Sequence, residues 1–123
     1  MTRNPDDVRM EIEKTQKAFC LERNAKFVPN LPESKLGYAL STKGRLPVNG
    51  LRHQPEGDTC GWYIWCGEDF SDAEDFFAPL HIKHVYEDQS ELTRVLGLAP
   101  GYRFLIAGDH LDVWYDAALL HES

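Results

Sequence analysis

The stretch CGWYIWC, residues 60–66, puts Cys60, Trp62, Ile64 and Cys66 on one side of an extended chain and Gly61, Tyr63 and Trp65 on the other. Neither set is polar, so the pattern predicts a strand buried on both faces and central in its sheet. Immediately beyond it the chain changes character. The segment EDFSDAED carries five carboxylates in eight residues: Glu68, Asp69, Asp72, Glu74 and Asp75. Like charges packed this densely repel one another unless a cation or a basic partner lies close.

On the amino-terminal side, Leu36, Tyr38 and Leu40 alternate with Gly37, Ala39 and Ser41, which reads as another strand. Residues 42–58 between the two hold three glycines, two prolines and four basic residues, and read as a long loop with room for a short strand at Leu46–Val48. Lys43, Arg45 and Arg52 fall in that loop, as a small anion patch or as solubilising charge. Earlier still, Asn4-Pro5-Asp6-Asp7 is a helix start: Asn accepts orphan backbone N–H groups, Pro is tolerated at the first helical position, and carboxylates meet the positive end of the dipole. Val8, Ile12, Thr15 and Phe19 make a stripe, so a helix is expected over Pro5–Arg23. Pro29 and Pro32 mark residues 24–35 as a connector.

On the carboxyl-terminal side, PLHIKHV, residues 79–85, reads as extended, with Leu80, Ile82 and His84 on one side. Asp88-Gln89-Ser90-Glu91 resembles a capping box before a short helix with Leu92, Val95 and Leu96 inward, stopped by Gly97. YRFLIAGDHLDVWYD is two alternating apolar runs around Gly108-Asp109-His110, a hairpin signal, and Ala117–Leu120 adds a helical turn. The whole is an α+β fold: an N-terminal helix packed on a mostly antiparallel sheet, with one further short helix.

At 123 residues and 42% hydrophobic content the chain fits one domain with a real core. Residues 1–35 form its helix and connector, and residues 36–120 its sheet-bearing body. A net charge of −7 weighs against nucleic acid and anionic membranes as partners and favours a cationic one. MTRNPDDVRMEIEK lacks an apolar signal-peptide core, and no run approaches the ~20 apolar residues of a membrane span, so a cytoplasmic protein is expected. The odd cysteine count, with Cys60 and Cys66 on one strand at ~20 Å separation, points to reduced, buried thiols.

Chemistry finds little purchase in these residues. The acidic segment misses the EF-hand pattern of alternate oxygens, a sixth-position glycine and a twelfth-position glutamate. On an extended chain His81 and His84 point to opposite faces, unlike zinc-binding histidines on a helix. Cys60 and Cys66 have no basic sequence neighbour to hold a thiolate. No cofactor or metal is expected.

LGYALSTKGRLPV, GWYIWCGEDFSDAEDFFAPLHIKHV and LAPGYRFLIAGDHLDVWYDAALL together resemble a bacterial family of immunity proteins of polymorphic toxin systems, immunity family thirty-three, formerly a domain of unknown function. The resemblance covers about residues 36–120 and rests on aromatic and turn positions such as Gly61-Trp62, Asp75-Phe76-Phe77 and Asp112-Val113-Trp114-Tyr115-Asp116. It implies a non-enzymatic protein that neutralises a cognate toxin by binding it. Joined to the acidic segment, it suggests a basic toxin docking on Glu68, Asp69, Asp72, Glu74 and Asp75, with Trp65 and Trp114 as anchors or, alternatively, as core. Two other readings stand beside it. One is a small metal-dependent hydrolase using Asp72, Asp75, His81 and His84; the other is an interaction module or dimer joined through an uncovered GWYIW edge.

Overall fold

The computed structural model describes residues 4–71 and 73–121. It has the α+β architecture read from the sequence. In chain order the elements are α1 (Pro5–Glu22), β1 (Lys35–Tyr38), β2 (Val48–Arg52), β3 (Thr59–Cys66), β4 (Ala78–His81), α2 (Ile82–Asp88), β5 (Tyr102–Ala107) and β6 (His110–Tyr115). Single 3-10 turns lie at Leu40–Thr42, Ser90–Leu92, Val95–Gly97 and Ala117–Leu120. All six strands join one sheet in the order β4-β1-β3-β2-β5-β6. Only β1 and β3 run parallel; the other four pairings are antiparallel.

Strand β3 is central, as its two apolar sides require. It pairs with β1 on one side and β2 on the other, so the sheet edges belong to β4 and β6. This corrects the expectation of an uncovered GWYIW edge. The inward side of β3, Cys60, Trp62, Ile64 and Cys66, joins Leu36, Tyr38, Phe104 and residues of α1, α2 and the 3-10 turns in one buried cluster. Helices and turns therefore cover one sheet face. Among the described residues no helix is long and apolar enough to cross a membrane.

Helix α1 starts as expected, with Asn4 Oδ1 accepting from the Asp6 amide at 2.8 Å. Its buried side is Gln16, Phe19 and Cys20, while Thr15 is exposed, so the apolar stripe is rotated from the one read in the sequence. The rotation has a polar cause. Gln16 Nε2 donates to Tyr86 Oη at 3.1 Å and to the Thr93 carbonyl at 3.0 Å. Gly97 leaves room for it, because a Cβ there would sit 2.5 Å from Gln16 Cβ.

Three further expectations are corrected. The expected long loop contains β2, whose inward positions are Val48, Gly50 and Arg52. A glycine and an arginine on the core side hide its alternation. The segment 79–85 is strand only to His81 and then turns into α2, burying Ile82 and Val85 at helical spacing. Residues 90–97 form two 3-10 turns rather than one short helix, although Leu92, Val95 and Leu96 are buried as expected.

Candidate functional site

The other sheet face is only half covered. The strand register sets one row across the whole sheet: Pro79, Gly37, Tyr63, Leu51, Arg103 and Trp114. A second row runs Trp65, Asn49, Leu105 and Asp112. The acidic loop after β3 folds back over the β1 and β3 end of these rows. There Phe77 meets Tyr63 at 5.2 Å between ring centroids, and Phe70 meets Trp65 at 5.2 Å. Glycine is needed beneath them: a Cβ on Gly37 would lie 2.8 Å from the Tyr63 ring and 3.2 Å from Phe77 Cβ.

Trp65 is thereby 8% exposed, packed under the loop, whereas Phe70 above it is 54% exposed and Trp114 at the far end is 41% exposed. Leu51 and Leu105 lie between, half-buried. A cleft of about 250 Å³ opens where covered and uncovered halves meet, lined by Leu51, His53, Tyr63, Phe70 and Phe77. His53 is held there by a 3.0 Å hydrogen bond between Nδ1 and the Leu119 carbonyl, with its ring edge-on to Tyr63 at 5.6 Å.

The loop is tied at its root. Gly67 turns the chain at φ 86°, and Asn49 Nδ2 donates to the Gly67 carbonyl at 2.9 Å. Beyond it, Glu68, Asp69, Glu74 and Asp75 are all exposed, and none makes an ion pair among the described residues. Asp72 lies outside the described residues. The cation nearest the open half is already engaged: the Arg103 guanidinium lies 5.6 Å from the Trp114 ring and bonds Asp116 Oδ2 at 3.2 Å.

Among the described residues the alternative sites do not assemble. Because α2 begins at Ile82, His81 and His84 come together, with ring centroids 5.9 Å apart, instead of pointing to opposite faces. Even so, the described residues contain no group of three or more His, Cys, Asp or Glu placed to hold a metal, so Asp75, His81 and His84 do not form one. Cys20, Cys60 and Cys66 are free and buried. Cys60 does have a cation near it, yet burial outweighs Arg52 and pushes its thiol pKa up, away from a nucleophile's range.

The anion patch also dissolves. Lys43 pairs with Asp88, and the Arg45 side chain lies against Gly67. Arg52 is 1% exposed, inside the core.

Leu51, His53, Arg103 and Leu105 belong to this face and were missed from the sequence. The alternation of YRFLIA does carry Arg103 and Leu105 on one side; Leu51 and His53 are concealed with β2.

The fold and this surface define a small α+β domain with one covered sheet face and one half-open aromatic face under an acidic loop. The family model described as Imm33-like domain matches residues 15–116, and the chain belongs to that family, one of immunity type. The match begins within α1 and ends at Asp116. No curated protein and no solved structure matches the chain.

Proposed function

We propose that this protein is an immunity protein that works in the cytoplasm by binding a cognate basic toxin on the half-open sheet face, and that it carries out no reaction of its own. One observation carries the reading: the half-open face exposes two aromatic side chains, Phe70 within the acidic loop and Trp114 at the far end of the sheet, and the loop adds four exposed carboxylates that have no ion-pair partner among the described residues. Aromatic anchors supply the contact energy of protein interfaces, and complementary charge speeds encounter and sets specificity. The net charge of −7 acts in the same direction. Trp65 supports the face from below and stiffens the loop, leaving Trp114 and Phe70 as the anchors.

The test is co-expression with a toxin encoded beside this gene, scoring growth rescue and co-purification. The variant Glu68→Gln/Asp69→Asn/Glu74→Gln/Asp75→Asn is expected to bind more slowly and to lose most of the salt dependence of association. Trp114→Ala is expected to weaken binding about 30-fold, the ~2 kcal/mol of a hot-spot truncation. Unchanged affinity and unchanged ionic-strength dependence in both folded variants would show that the toxin docks elsewhere.

A further inference from the structure

We infer that the cleft between Leu51, His53, Tyr63, Phe70 and Phe77 receives one cationic side chain, an arginine or lysine presented by a basic protein partner. The inference rests on the docking reading above and names what that face grips. At about 250 Å³ the cleft is smaller than the usual pocket for a drug-sized molecule and suits a single side chain with its stem. Its walls are rings meeting nearly at right angles, His53 to Tyr63 at 80° and Tyr63 to Phe77 at 73°. Three aromatic side chains of the loop and sheet, Tyr63, Phe70 and Phe77, line the cleft, and a ring face attracts a cation within about 6 Å of its centroid.

The loop that supplies Phe70 and Phe77 also supplies Asp69 and Asp75, immediately before Phe70 and two residues before Phe77. Carboxylates on the loop that forms one wall disfavour an approaching anion and favour a cation. The protein has no cation of its own in this place among the described residues. Among the described residues, arginine and lysine contacts to rings go to Phe19, Phe27, Trp62 and Trp114, and none goes to Tyr63, Phe70 or Phe77. The cleft thus joins aromatic walls to an acidic loop and, among the described residues, is lined by no lysine or arginine.

The experiment is a titration of the isotope-labelled protein with n-butylguanidinium chloride and, at matched ionic strength, its neutral isostere n-butylurea, followed by amide and aromatic NMR shifts. Saturable shifts at Leu51, His53, Tyr63, Phe70 and Phe77 with the guanidinium alone are expected. Tyr63→Leu should weaken the effect about tenfold or more, a loss of ~1.4 kcal/mol. Phe77→Leu serves as a second variant, and unchanged shifts in β5 and β6 establish that each variant is folded. Equal shifts with butylurea, or none with butylguanidinium, overturn the inference. If toxin binding responds to Trp114→Ala while the cleft ignores butylguanidinium, the cleft inference fails and the docking reading stands. If the cleft takes butylguanidinium but Tyr63→Leu leaves toxin affinity intact, the assignment of a partner side chain is overturned.

Discussion

Arg52 brings its charge into the interior and, among the described residues, has no carboxylate to meet it. Four oxygens take its place: Nε donates to the Cys60 carbonyl at 2.9 Å, Nη1 to the Val28 and Leu98 carbonyls at 3.0 and 2.7 Å, and Nη2 to Asn30 Oδ1 at 2.7 Å. One side chain thus joins β3, the connector after α1 and the turn before β5. Asn30 completes the network by donating to the Leu96 carbonyl, which also accepts from Trp62 Nε1. The planar fork of the guanidinium makes this possible, because its five donors diverge in fixed directions. A lysine keeps the charge but presents donors from one point and cannot reach all four acceptors. Arg52→Lys is therefore expected to cost about 2–4 kcal/mol, read as a lower urea midpoint with an unchanged slope. A midpoint within error of the parent would mean that charge alone, and not the fork, is what the core uses.

Among the elements, Gly61 decides how β3 meets β1. The parallel register shifts between Lys35 opposite Thr59 and Gly37 opposite Tyr63, so β3 carries an irregularity around Gly61. Gly61 adopts φ 93°, and a Cβ there would lie 2.0 Å from the His53 carbonyl oxygen. Both the left-handed backbone and the close approach exclude other residues. Gly61→Ala is expected to cost about 3 kcal/mol or more, and to disturb the Tyr63 side of the sheet before the Trp62 side. Thermal melting checks the first part, and amide shifts in β1 and β3 check the second.

Strand β3 is legible in the sequence because its apolar run is short and rich in aromatic residues, as a doubly buried strand is, and β5 and β6 because their alternation flanks a glycine-led turn. Strand β2 is not, since Gly50 faces inward to receive the Phe104 ring, to which a Cβ would come within 2.2 Å, and Arg52 faces inward as a hydrogen-bond hub. Core positions that bury a missing side chain or a charge carry no hydrophobic signal. Helix α2 is hidden because Leu80 and Ile82 fit the strand period while Ile82 and Val85 fit the helical one, and the stretch is too short to decide between them. Of the candidate site, the carboxylates Glu68, Asp69, Glu74 and Asp75 are legible as surface from their charge, whereas alternation alone leaves Trp114 open between core and surface. The cleft is not legible, because it is made by residues from β2, β3 and the acidic loop that only the sheet register brings together.

For the molecule as a whole, burial of weak acids sets an alkaline limit on stability. Burial is the leading cause that raises the pKa of Tyr38, Tyr86, Cys60 and Cys20. Each group keeps its proton longer in the native state than in the unfolded chain, so the native state binds more protons once pH passes the unfolded values. The stability these groups contribute is whole below that point and is lost as pH rises through the folded values. The urea midpoint should hold near neutrality and fall above about pH 8.5, more steeply beyond about pH 10, where unfolded thiols and then phenols ionise. Tyr86→Phe should make the upper part of the fall shallower, at the cost of the bond from Gln16. A midpoint that stays level into that range would contradict the arrangement.

The sheet order also fixes when the molecule can be finished. Strand β2 receives its second neighbour only from β5, with Gly50 opposite Phe104, so a growing polypeptide that has just completed β3 still lacks the ring that closes over Gly50. Contacts spanning so much chain form slowly, and sheets left open meanwhile are prone to stick to other chains. During translation the surface proposed to meet the toxin, Trp114 of β6 included, is therefore among the last parts to be assembled, complete only once β5 and β6 have been made and have docked on β2.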